Sequence, residues 1–134
     1  TILWLKLQQF KTCPPPRPPR RRAVDPKMAA EYTGVTAVSR GNIYFDGKIV
    51  SHKIVFPDGS DKTMGVIMPG DYHLGTSKAE LMELTDGAAT VTLDGEGNAA
   101  IEVSAGGNFS VPANSGFTIV VKDAPCQYVC TYIA

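Results

Sequence analysis

Ala79-Glu80-Leu81-Met82-Glu83-Leu84-Thr85-Asp86-Gly87-Ala88-Ala89-Thr90-Val91-Thr92-Leu93 is the stretch on which the reading of the fold turns. Two runs with short-period apolar alternation are split by Asp86-Gly87, a pair that favours a tight turn, so strands are predicted over 79–85 and 88–93. Alternation then puts Glu80, Met82 and Leu84 on one face and Leu81, Glu83 and Thr85 on the other, with Glu83 toward solvent. The same grammar extends in both directions. Further strands are predicted at Ile43–Phe45, Lys48–Phe56, Thr63–Met68, Ala99–Val103, Asn108–Val111, Phe117–Val121 and Gln127–Ile133. Turns are predicted at Pro57-Asp58-Gly59, Pro69-Gly70-Asp71, 94–98, Gly106-Gly107, 112–116 and Asp123-Ala124-Pro125. After Arg40 no stretch has a helical period. Near-continuous short strands of this kind predict an all-β single domain closed or nearly closed into a barrel, which protects its edges and leaves a mouth for a ligand.

The chain has 134 residues, 43% of them hydrophobic, enough for one core and too few for a second domain. Its formal charge of zero hides a split. Residues 1–30 carry seven Lys/Arg against one Asp, and residues 31–134 carry six against twelve Asp/Glu. The folded part is therefore acidic, which argues against nucleic acid as its partner. The leading segment, with Pro14-Pro15-Pro16-Arg17-Pro18-Pro19-Arg20-Arg21-Arg22, favours polyproline II and reads as a disordered tail over 1–30. Ile2-Leu3-Trp4-Leu5 is too short to span a bilayer and lacks a cleavage signal, so no membrane role is expected. The chain opens on Thr, and Met28 is the expected natural start. Cys13, Cys126 and Cys130 make no disulfide framework and no complete zinc pattern, which points to a reducing, cytoplasmic setting.

Two side chains stand out chemically. Glu80 shares a predicted face with Met82 and Leu84, and a carboxylate aimed at an apolar interior must be paired, protonated or open to a liganded cavity. A carboxylate at the barrel rim, meeting only water, is the plain alternative. His73 is the second candidate, although a lone histidine is more often a hydrogen-bonded structural residue, and a catalytic part for it requires convergence with Glu80. Tyr44, Phe45, Tyr72, Phe117, Tyr128 and Tyr132 would suit stacking of a heterocycle, while most aromatic strand residues are core.

The segment from Gly70 to Gly87 resembles the first cupin motif: His73 stands at the first metal-ligand position, Gly75 replaces the second histidine, Glu80 fills the glutamate position and Gly87 closes the motif. Residues 106–114 resemble the second motif, with Phe117 where the third histidine is usual. Two of four ligands are missing, so no resident metal and no other cofactor is expected. A closer resemblance covers residues 41–133. Asn42-Ile43-Tyr44-Phe45-Asp46-Gly47-Lys48-Ile49 is similar to the opening signature of the pyrimidine/purine nucleoside phosphorylase family, a small cupin family. Gly65-Val66-Ile67-Met68-Pro69-Gly70-Asp71-Tyr72 with Glu80-Leu81-Met82 resembles its central segment. Residues 109–117 and Tyr128-Val129-Cys130-Thr131-Tyr132 resemble its closing ones.

The resemblance implies a cupin-type jelly-roll barrel, active as a homodimer, that cleaves nucleosides with inorganic phosphate as co-substrate to a free base and ribose 1-phosphate. Phosphorolysis needs a phosphate site, stabilisation of an oxocarbenium-like sugar, and support for the leaving base. Glu80 and His73 are the expected catalytic side chains. Tyr44, Lys48, Tyr72, Met82 and Phe117 are the expected substrate contacts, with Lys48 the first choice for phosphate. A non-catalytic small-molecule-binding cupin and a metal-dependent cupin oxygenase or isomerase are the rival classes.

Overall fold

Alternating strands are stable only when their backbone groups and apolar faces find partners. The computed structural model, which describes residues 31–133, supplies both through ladders that are antiparallel throughout. In chain order the strands are β1 Thr36–Ala37, β2 Asn42–Tyr44, β3 Ile49–Val55, β4 Asp61–Ile67, β5 Gly70–Gly75, β6 Ala79–Asp86, β7 Ala88–Leu93, β8 Ile101–Ser104, β9 Asn108–Val111, β10 Gly116–Val121 and β11 Cys126–Ile133. A single 3-10 turn, Phe45–Gly47, joins β2 to β3. The first sheet has the order β1-β3-β4-β11-β6-β9, with β2 also on β3, and the second has the order β5-β10-β7-β8. The expected tail over 1–30, and Cys13 within it, lie outside the described residues.

The two sheets face one another. Ile49, Ile67, Met82, Leu84, Cys126, Tyr128 and Cys130 of the first sheet meet Tyr72, Ala89, Val91, Phe117, Ile119 and Val121 of the second in one core. Among the described residues no ladder joins the sheets, so the expected barrel is observed as two facing sheets rather than a closed cylinder.

Asp86-Gly87 shows how the chain builds this. It turns as expected, but β6 belongs to the first sheet and β7 to the second, so the turn is a corner between layers. Gly87 has φ +78, and a Cβ there would lie 2.8 Å from the Pro125 carbonyl oxygen and 2.9 Å from the Cys126 Cα. Only glycine fits a positive-φ corner pressed against a second backbone. The connections β4–β5, β5–β6, β8–β9, β9–β10 and β10–β11 cross between layers in the same way.

Strand β5 is absent from the sequence expectation. Its alternating Asp71-Tyr72-His73-Leu74 is bracketed by glycines that read as turn signals, yet all six residues pair with β10. Glu83 also departs from expectation. It takes the face opposite Glu80, as alternation requires, but is only 9% exposed. Residues leading into β1 pack along this side: Tyr32 meets Phe56 edge-on at 5.6 Å, the Lys62 ammonium lies over both rings, and the charge of Glu83 helps hold the Tyr32 hydroxyl above its ordinary pKa, after burial.

Candidate functional site

On the inner face of the first sheet the registers set residues in rows. Ile49 stands opposite Ile67, and Ile67 opposite Cys126. The next row is Ser51, Gly65, Tyr128 and Leu84, and the one after it is Lys53, Thr63, Cys130 and Met82. Beyond these, Glu80 lies between Tyr132 on β11 and Val111 on β9. One end of the face is thus closed and apolar. The other is lined by Lys53, Asp61, Thr63, Cys130, Tyr132 and Glu80.

Gly65 is what allows the middle row. A Cβ at this position would lie 2.8 Å from three atoms of the Tyr128 ring, so the ring can lie across β4 only because the residue beneath it has no side chain. That placement brings the Tyr128 hydroxyl to Ser51, whose own hydroxyl accepts from the Asn42 amide at 3.3 Å.

Electrostatics divide the donors from the acceptor. Burial raises the pKa of Glu80, and hydrogen bonding with the Cys130 thiol only partly opposes it. The Cys130 thiol is pushed up to about 12, first by burial and then by the neighbouring Glu80 charge. Tyr132 is raised by burial and by Cys130, with Thr63 acting in the other direction and Glu80 and Tyr44 adding to the rise. Tyr128 is raised far above the ordinary phenol value, chiefly by burial. The polar end therefore holds neutral O–H and S–H groups around the Glu80 carboxyl. Beside them the Lys53 ammonium pairs with Asp61 at 3.2 Å, both half-exposed. Hydroxyl donors and an acceptor of this kind suit a polyhydroxylated ligand, and the cation suits an anion.

The expected site residues do not all gather here. Glu80 does, and Met82 forms the buried floor beside it. Tyr44 stands at the sheet edge, 47% exposed, close enough for its charge to raise both Tyr128 and Tyr132. Phe117 is instead a core residue, 1% exposed and edge-on to Phe109 at 5.3 Å, so it offers no free ring to a heterocycle. Tyr72 is also buried. Its hydroxyl donates to the carbonyls of Met68 at 2.8 Å and Pro69 at 3.1 Å, and its ring packs on Phe45. Lys48 is exposed just before β3, and its backbone bonds Phe45 and Met68. His73 is on the second sheet between inward Tyr72 and Leu74, and its exposed ring bonds Asp94 at 2.8 Å. His73 and Glu80 do not converge.

This decides the fit of a cupin metal. Of the four motif positions, His73 points outward, Glu80 lies on the opposite sheet, and Gly75 and Phe117 carry no donor. Among the described residues no group of three or more His, Cys, Asp and Glu side chains could hold a metal ion. The residues present do not fit the group.

Lys53, Asp61, Thr63, Ser51 and Cys130 are absent from the sequence-based site. Alternation from Ile49 places Lys53 on the inner face, but only the strand order β3-β4-β11-β6 brings it to the row next to that of Glu80. A second concavity, about 310 Å³, lies along the second sheet between Ala88, Thr90, Glu102, Val120 and Lys122. There the Thr90 hydroxyl already donates to Glu102 at 2.6 Å. It carries neither the buried carboxylate nor the cluster of neutral donors, so the polar end of the first sheet is the better site.

Comparison with known proteins agrees with this architecture. A crystal structure of a protein of unknown function from Acinetobacter sp. ADP1 superposes with a TM-score of 0.74 at 34% identity, covering 78% of this chain and 100% of the other. An oxalate decarboxylase of Bacillus subtilis superposes with a TM-score of 0.60 at 14% identity, over 73% of this chain and 28% of that one, a likeness of fold alone. In sequence, the pyrimidine/purine nucleoside phosphorylase of Paraburkholderia xenovorans is 48% identical over 105 residues, 78% of this chain and 97% of that protein. No helix among the described residues is long and apolar enough to cross a membrane. The family model for pyrimidine/purine nucleoside phosphorylases matches residues 39–132, every strand from β2 onward but for the last residue of β11. With the fold and these matches in agreement, the chain belongs to the pyrimidine/purine nucleoside phosphorylase family.

Proposed function

We propose that this chain cleaves purine and pyrimidine nucleosides with inorganic phosphate at the polar end of the first sheet's inner face. The observation that carries the placement is Glu80: a half-buried carboxylate with a raised pKa among neutral donors. A phosphate oxygen forms the new bond to the anomeric carbon as the carbon–nitrogen bond breaks. The electron pair of that bond leaves with the base, and the proton given up by hydrogen phosphate ends on the departing nitrogen. Ionised Glu80 faces the positive charge that builds on the sugar, while Thr63, Tyr132 and Tyr128 offer hydroxyls to the ribose. Tyr44, exposed at the edge, is the aromatic free to stack on a base. Stacking with few base-edge contacts explains breadth across purines and pyrimidines.

His73, Tyr72 and Phe117 have no direct part in this reading, and Met82 shapes the floor. The two sheets act as the walls of a cupin-type jelly roll. The working form is a homodimer in the cytoplasm, a setting that suits the free buried thiols of Cys126 and Cys130. Met64 and Val66, exposed on the outer face of β4, offer apolar surface for such association, and light scattering reads its mass. The deciding experiment is phosphate-dependent release of uracil from uridine, with and without a chelator. Release unaffected by the chelator is expected. Uridine binding without phosphate-dependent release would make the chain a binding module instead, and loss of release with the chelator would make it metal-dependent.

A further inference from the structure

We propose that Lys53, held by Asp61, is the phosphate-binding cation of this site, an inference that rests on the phosphorolysis reading above. Phosphate at this site requires a cation on the same face as Glu80, and the described chain offers six to choose from. The Lys62 ammonium lies over the Tyr32 and Phe56 rings at 5.6 and 5.9 Å on the outer side of the first sheet. Lys122 lines the groove of the second sheet. Arg40 lies in the β1–β2 connection, Lys48 precedes β3, and Lys78 sits in the turn before β6.

Lys53 alone of the six is a strand residue of the inner face. Ile49 and Ser51, four and two positions before Lys53, are buried on that face, and Lys53 stands opposite Thr63, which stands opposite Cys130. Three strand steps, β3 to β4 to β11 to β6, separate it from Glu80. With Glu80 one row further along than Lys53, a spacing of ~4.8 Å between strands and ~3.3 Å per residue gives about 16 Å between backbones, a span that two long side chains and a pentose with its phosphate can bridge.

The ion pair with Asp61 does not exhaust the lysine. An ammonium has three donors, and Asp61 engages it at 3.2 Å from one side. The carboxylate holds the flexible stem in place, leaving donors for phosphate oxygens, with the Thr63 hydroxyl beside them. A compact cation suits a phosphate that must be released to attack carbon, where a bidentate arginine would hold it more firmly. The arrangement sets nucleophile and carboxylate at opposite ends of the sugar site, phosphate at Lys53 and charge stabilisation at Glu80.

The test uses full-length protein and inorganic phosphate as the probe. In wild type, Lys53→Met, Lys53→Arg and Lys78→Met, thermal shift by phosphate is compared with chloride at equal ionic strength, alongside steady-state uridine cleavage. Lys53→Met is expected to lose the phosphate-specific shift and to raise the KM for phosphate at least tenfold, with the KM for uridine within about twofold. Lys53→Arg is expected to retain part of both, and Lys78→Met to behave as wild type. A phosphate-specific shift that survives in Lys53→Met, is lost in Lys78→Met, or is missing from wild type overturns the assignment. Wild type that binds phosphate through Lys53 yet releases no base would instead overturn the phosphorolysis reading and leave the phosphate site standing.

Discussion

The two ends of the first sheet's inner face are made from the same strands, yet they differ in what they bury. At one end Ile49, Ile67, Leu84 and Cys126 are almost wholly inaccessible, part of the core that the two sheets share. At the other, on continuations of β3, β4, β6 and β11, stand Lys53, Thr63, Glu80, Cys130 and Tyr132, several of them partly open to water. Apolar burial is worth roughly 25 cal/mol per Å², so the closed end supplies stability. Burying a carboxylate without full pairing costs free energy, so the polar end is maintained at the expense of stability. The difference teaches that fold and chemistry are divided along each strand rather than between domains, and substitutions in the core and at the polar end should separate them.

The largest effect is expected in the core between the sheets. Phe117→Ala should cost about 3–5 kcal/mol of stability, a fall in Tm of more than about 10 °C, because it opens a cavity against Phe109. The kcat/KM of the fraction still folded should be little changed, and a specific loss of uridine affinity would restore Phe117 as a substrate contact. Glu80→Gln should do the reverse. Losing a preorganised charge at the sugar should cost ~2.7–4 kcal/mol of barrier, two to three orders of magnitude in kcat/KM, with the fold intact. Retention of more than about a tenth of wild-type kcat/KM would place the active site elsewhere.

The pH dependence sharpens the same contrast. Burial raises the pKa of Glu80, so the acid limb of wild-type kcat/KM should lie above the ordinary carboxylate range and be missing from the residual activity of Glu80→Gln. Stability should move oppositely. A carboxyl that binds its proton more tightly when folded penalises folding above its raised pKa and imposes no penalty below its unfolded value. Glu80→Gln should therefore melt at or above the wild-type temperature at neutral pH, with the gap closing as pH falls through the carboxylate range. Calorimetry across that range checks it, and a gap that widens toward acid would show that Glu80 is favourably paired. The smallest effect belongs to His73→Ala. It breaks an exposed pair with Asp94 on the second sheet's outer face, so Tm should shift by no more than about 1 kcal/mol's worth and kcat/KM by less than about twofold. A larger kinetic effect would link His73 to the site after all.

Much of this was legible in the chain itself. Alternation and turn chemistry determined most of the strands, all but β1 and β5, because a period of two and a positive-φ glycine are local properties. Within β6 the same alternation determined that Glu80 shares a face with Met82 and Leu84. The missing cupin ligands were likewise legible residue by residue. Tertiary structure alone decided that Asp86-Gly87 is a corner between layers, since a turn's sequence does not state which sheet its second strand joins. It decided that Glu83 is covered, by a segment about fifty residues earlier. It decided that Phe117 and Tyr72 are core while Tyr44 is free, because exposure depends on what lies opposite. And it alone brought Lys53, Thr63 and Cys130 to one row and Glu80 to the next, residues that come from four strands with no common local signal. Their neighbourhood follows from the order β3-β4-β11-β6, a pairing set by burial of the whole inner face and carried by no short stretch of residues.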